Sequence, residues 1–106
     1  MRPAQHSPRT FIEGAFLDGE VAEDAPAAAF AAREVARRLA QALESSGRTR
    51  VEVADAAGVS RSAMYALLRG DVYPDFATVA QLSAELDTPL WPRVRLHGRG
   101  LPDATA

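Results

Sequence analysis

The sequence predicts an all-α domain of four to five helices with irregular or short-strand tails. Three observations carry that prediction. The run from Ala27 to Ser46 holds strong helix formers and no breaker. Two shorter helical stretches, 50–57 and 61–69, are separated only by Gly58-Val59-Ser60. A fourth stretch repeats Phe76, Val79, Leu82 and Leu86 at steps of three and four, the period of a helix with one buried face.

Composition sets the outer limits. With 106 residues, the chain is long enough for one small domain and its tails. It contains no cysteine, which excludes a disulfide scaffold and cysteine-based metal or redox chemistry. Two histidines, His6 and His97, stand near opposite ends, so neither a metal site nor a histidine dyad is expected, and no cofactor is implied. No apolar run reaches the ~18 to 20 residues of a membrane span. Met1 to Pro8 lacks the apolar core of a secretory signal, so a cytoplasmic protein is expected. The formal net charge of −2 rules out binding driven by bulk positive charge, while leaving room for a locally basic face. All twelve basic residues are arginine and alanine occurs 22 times, a bias that GC-rich codons produce; composition alone therefore does not argue for guanidinium chemistry.

Residues 1–26 differ from the rest. They carry two arginines against five acids, and Pro3, Pro8, Gly14 and Gly19 interrupt any helix. Phe11 to Leu17 is apolar enough for a short strand, and Asp18-Gly19 then signals a turn. This acidic segment reads either as a disordered leader or as an arm that packs on the domain or on a second copy. Pro26 suits the first position of the long helix. Ala28, Ala31, Val35, Leu39, Ala42, Leu43 and Ser46 form its expected buried stripe, with Phe30 off the stripe and Arg33, Arg37 and Arg38 on a solvated face. Gly47 stops the helix.

Thr49, with Glu52 three residues later, is a capping box that starts the second helix near Arg50. Val53, Ala54 and Ala57 face inward and Gly58 ends it. Ser60 caps the third helix, in which Met64, Leu67 and Leu68 are apolar, and Gly70 stops it. After the loop Asp71 to Pro74, Asp75 caps the fourth helix. Asp87-Thr88-Pro89 is expected to restart a last turn carrying Leu90 and Trp91, with Trp91 as the plug beneath it. The stretch Arg93 to His97 alternates polar and apolar residues. It is either a strand that pairs with Phe11 to Leu17 or a basic tail.

The stretch from Arg50 to Gly70 carries the functional expectation. Two short helices joined tightly need a small residue where their axes approach, here Ala54, and a residue tolerating positive φ at the turn, here Gly58. With Met64 and Leu67 turned inward, Arg61, Ser62, Tyr65, Ala66 and Arg69 project outward. Arginine can fork onto guanine O6 and N7, and serine can bond most base edges, so this face suits a major groove.

The segment Val53-Ala54-Asp55-Ala56-Ala57-Gly58-Val59-Ser60-Arg61-Ser62-Ala63-Met64-Tyr65-Ala66-Leu67-Leu68-Arg69-Gly70 resembles the Cro/repressor-like (XRE-like) helix-turn-helix DNA-binding proteins, and most of all their Ala- and Arg-rich actinobacterial members. Pro74 to Leu82 and Thr88 to Pro92 also look like that family, so the likeness covers about residues 31 to 92. It implies a lambda-repressor-like fold whose third helix lies in the major groove and whose second spans the backbone. Carried onto this chain, it implies that Arg61, Ser62, Tyr65 and Ala66 face bases. Thr49, Arg50, Ser60, Arg69 and Tyr73 would then face phosphates, a helix N-terminus being favourable for anions. Three departures stand out. Arg48 and Arg50 occupy positions where family members often carry Leu and then Gln or Arg. Leu43 and Leu68 stand where some members bury an Arg–Glu pair, an exchange that is often neutral or stabilising. The loop after the third helix is often basic, but here it carries Asp71 and Asp75, which should weaken phosphate contact.

These readings divide the chain into an arm or leader (1–26), a helix-turn-helix domain (27–92) and a tail (93–106). Residues 27–92 hold seven arginines against eight acids, so one copy should bind DNA weakly. A homodimer on double-stranded DNA, with half-sites about 34 Å apart, is therefore expected, joined through the tails and the last helix. The alternative is a protein-interaction module, such as an antitoxin or adaptor, with a protein partner held through residues 1–26. Nothing pairs a nucleophile with a base, so no enzyme is expected.

Overall fold

The computed structural model describes residues 6–93. Four α-helices form the body: α1 (Ala27–Ser46), α2 (Arg50–Ala57), α3 (Arg61–Arg69) and α4 (Phe76–Leu86). A 3₁₀ turn at Pro8–Phe11 precedes two short antiparallel strands, β1 (Ile12–Glu13) and β2 (Glu20–Val21), with Ile12 opposite Val21 and Glu13 opposite Glu20.

The helix boundaries follow from local chemistry. Thr49 Oγ1 accepts from the Glu52 amide at 3.1 Å, and Glu52 Oε1 accepts from the Thr49 amide at 2.8 Å, so the capping box is complete. Gly58 closes α2 at φ 75°, a conformation that L side chains resist, and so lets the chain turn straight into α3. Ser60 Oγ then accepts from Ala63 N, and Asp75 Oδ1 accepts from Thr78 N at 2.7 Å to open α4. One core joins all four helices. Leu39, Val53, Met64, Leu82 and Leu90 are completely buried within it, and Leu43 and Leu68 both lie in it as an apolar pair.

The arm is part of that core. Phe11, Ile12 and Phe16 are buried, and Ile12 and Phe16 belong to the same cluster as Leu39 and Met64. Phe16 lies directly on Gly70. A Cβ added there would come within 2.6–2.8 Å of the ring, on a residue already at φ 77°. The Arg9 amide donates to Gly70 O at 3.0 Å, Tyr73 Oη donates to His6 O at 3.0 Å, and Arg33 donates to Gly19 O.

Several details differ from expectation. The buried stripe of α1 is Ala29, Ala32, Val35, Ala36, Leu39, Ala42 and Leu43; Ala28 and Ser46 are exposed and Ala31 is only half-buried. The first helical turns of α1 are mostly alanine, so no contrast between side chains marks the phase. Phe30 is half-buried, as are Arg33 and Arg38, the latter paired with Glu34. Phe11 to Leu17 contributes only Ile12–Glu13 as strand, paired with Glu20–Val21; residues 94–97, the other expected partner, lie outside the described residues. No fifth helix follows α4 among the described residues. Asp87 takes the left-handed conformation at φ 50°, and Thr88, before Pro89, is disfavoured from helix. Leu90, not Trp91, is the plug: its side chain is buried and its amide donates to Ser83 Oγ at 3.1 Å. Trp91 lies outside against Phe76, with ring centroids 4.8 Å apart, and Phe76 is 78% exposed instead of joining the core.

Candidate nucleic-acid interface

Helix α3 has two unlike faces. Met64, Leu67 and Leu68 fasten it to the core, and Arg61, Ser62 and Arg69 are exposed. α2 ends in a left-handed glycine one turn earlier, and Ser60, Arg61 and Ser62 at the start of α3 are exposed. Ser62 Oγ lies 3.4 Å from the Oγ of Ser60, which is itself engaged in the cap. Ala66 and Tyr65 are half-buried along the edge of the same face.

Around the N-terminus of α2 the surface forms an open cleft of about 570 Å³, lined among others by Leu17, Arg48, Thr49, Arg50, Tyr65 and Arg69. Four of the residues expected at the interface, Thr49, Arg50, Tyr65 and Arg69, thus meet at one place, beside the first-turn amides of α2. The Arg50 guanidinium sits 5.6 Å from the Tyr65 ring centroid, a cation–π contact that steadies it while leaving it exposed. The Glu52 carboxyl is held below its ordinary value by the hydrogen bond from the Thr49 backbone.

Three nearby arginines are matched with acids. Arg61 forks onto Asp55, with Nε to Oδ1 at 3.1 Å and Nη2 to Oδ2 at 2.8 Å. Arg69 Nε reaches Asp71 at 2.9 Å, and Asp71 also takes Arg9 at 3.1 Å. Arg48 pairs with Glu85 of α4 at 2.9 Å. The Asp55 carboxyl is lowered by its hydrogen bond from Arg61, and the Arg61 guanidinium is correspondingly raised. An exposed single-contact pair such as Arg69–Asp71 is screened and exchanges readily for other partners, whereas the two-point fork of Arg61 on Asp55 has the better-defined geometry. Tyr73 is different. Its hydroxyl donates to the carbonyl of His6 at 3.0 Å, so in this structure the residue fastens the arm. Among the described residues, no group of histidines and acids is arranged to hold a metal ion, and no helix is long and apolar enough to cross a membrane.

Two short helices, a left-handed turn and a second helix with an exposed polar face define a helix-turn-helix unit. The family model described as a helix-turn-helix domain matches residues 34–93, more than half of the chain. The chain therefore belongs to this family of Cro/XRE-type DNA-binding domains. No curated protein matches it, and no solved structure does.

Sequence reasoning overlooked Asp55, Arg9 and Leu17. Asp55 had a usable signal, since a residue late in α2 and one at the start of α3 flank the same tight turn. Arg9 and Leu17 had none, because their neighbours lie far away in the chain.

Proposed function

We propose that the protein is a sequence-specific DNA-binding transcriptional regulator that inserts α3 into the major groove and acts as a two-fold dimer. The observation that carries this reading is the division of α3 into a core face and an exposed face bearing Arg61 and Ser62, alongside an exposed Arg50 at the α2 N-terminus. In this reading Arg61, Ser62, Tyr65 and Ala66 face bases. Thr49, Arg50, Ser60 and Arg69 face the backbone, where amides at a helix N-terminus favour anions. The exposed Phe76–Trp91 ring pair supports a contact between copies, and a regulator of this kind works in the cytoplasm with its DNA.

Fluorescence titration against genomic fragments tests the assignment. Arg61→Ala should reduce discrimination between sequences about ten- to a hundredfold. Arg50→Ala should weaken every sequence alike and flatten the salt dependence by about 0.9 in log–log slope. Equal loss on all sequences for both variants contradicts these roles. Sedimentation that finds only monomer at high concentration contradicts the dimer.

A second reading, a protein-interaction module such as an antitoxin or adaptor, is favoured by the pairing of Arg48, Arg61 and Arg69 with carboxylates. No binding to random DNA at low salt, with a protein partner recovered on the same domain, would select it.

A further inference from the structure

Arg61 opens α3 and Asp55 lies near the end of α2, so the pair bridges the turn between the helices. Both side chains are more than half exposed. An arginine has five N–H donors arranged along two usable edges, one formed by Nε and Nη2 and the other by Nη1 and Nη2. Asp55 occupies the first edge through two roughly parallel bonds. Such a fork fixes the plane of the guanidinium as well as its position. Among the described residues nothing occupies the second edge. That edge presents another pair of N–H groups, which matches the O6 and N7 acceptors of guanine in the major groove.

A carboxylate here also has an energetic consequence. The Asp55 carboxylate carries a negative charge at neutral pH like any exposed aspartate, so it repels phosphate and offsets the attraction of Arg61 for any backbone. A free arginine on a long, flexible stem would serve phosphates and bases indiscriminately. A guanidinium already held on one side is less available as a general clamp, yet remains complete as a reader of one base edge.

We propose that Asp55 is a positioning residue for specificity: it holds Arg61 so that the Nη1–Nη2 edge reads guanine, and it suppresses binding to DNA of other sequence. The proposal rests on the regulator reading above and adds a residue to it. Asp55 does not contact the base itself.

The experiment begins with the full-length protein and a random duplex pool, from which a preferred site is selected. Affinities are then measured for the selected duplex, for a random duplex, and for the selected duplex with 7-deazaguanine in place of each guanine, which removes the N7 acceptor. For the unaltered protein, one such replacement should reduce affinity about tenfold. Asp55→Asn should bind random duplex several-fold more tightly, while its preference for the selected site falls about tenfold and the 7-deazaguanine penalty shrinks to within twofold. Asp55→Ala should behave alike, with unchanged thermal melting because the side chain is exposed. In an Arg61→Ala background, Asp55→Asn should leave the preference unaltered.

If Asp55→Asn raises affinity for both duplexes by one common factor, with preference and N7 penalty intact, Asp55 is a charge and nothing more, and the proposal is overturned. A change of preference that persists without Arg61 overturns it too. A protein that enriches no sequence from the pool overturns the regulator reading itself, which separates the two failures.

Discussion

The segment 50–70 and the segment 7–21 are held in place by different means. In the first, each boundary is set within a few residues: Thr49 caps with Glu52, Ser60 caps Ala63, and Gly58 and Gly70 end their helices. In the second, regular structure is limited to a 3₁₀ turn and two-residue strands, and position depends on distant partners. Arg9 pairs with Asp71, Phe16 lies on Gly70, and Tyr73 reaches the carbonyl of His6 across 67 positions in the sequence. The two segments meet at Gly70 to Tyr73, immediately after the helix proposed to enter DNA. Local signals shape the helix-turn-helix unit, and the arm braces its far end.

Removing the largest brace should separate the two most. Phe16→Ala empties a buried ring site and should destabilise the protein by about 3–5 kcal/mol in urea denaturation. Amide exchange of 7–21 should quicken before that of α2. A loss under about 1 kcal/mol would mean that the ring is not part of the core. Gly70→Ala should follow. The left-handed backbone alone costs about 1–2 kcal/mol, and collision with the Phe16 ring adds to it. In the Phe16→Ala background only the backbone part should remain, so additive losses would break the claimed contact. Thr49→Ala should cost about 1 kcal/mol by opening the cap of α2 while leaving exchange in the arm untouched. Mild acid should have the smallest effect. Backbone hydrogen bonds from Thr49 and Thr78 hold the Glu52 and Asp75 carboxyls below their ordinary values, so the unfolded chain binds more protons as pH falls. Their stabilisation is complete above the unfolded carboxyl values and is lost below about pH 4 as the folded groups protonate. Glu52→Gln should reduce the steepness of that acid limb; an unchanged limb would show that the cap does not contribute to it.

The same contrast explains what could be read in advance. The four helices and their caps were legible because Thr49, Gly58, Ser60, Gly70 and Asp75 act on their immediate neighbours. The phase of α1 was not, since its first turns are nearly all alanine and offer no contrast between faces. The exchange of roles between Leu90 and Trp91 was illegible for a related reason: either could fill a slot of that kind, and only the path set by Asp87 and Pro89 decides which one reaches it. At the site, the exposed residues of α3 followed from the burial of Met64, Leu67 and Leu68. The links from Asp71 to Arg9 and from Tyr73 to His6 depend on where the arm lies, and no periodicity encodes that.

The central claim is that the outer face of α3 enters the major groove. Methylation interference on a selected duplex tests it directly, because dimethyl sulfate marks guanine N7 in the major groove and adenine N3 in the minor groove in one reaction. The expected result is that methyl groups on guanine N7 within the site block binding while those on adenine N3 are tolerated. Interference confined to adenine N3, or none at either position, would contradict the account.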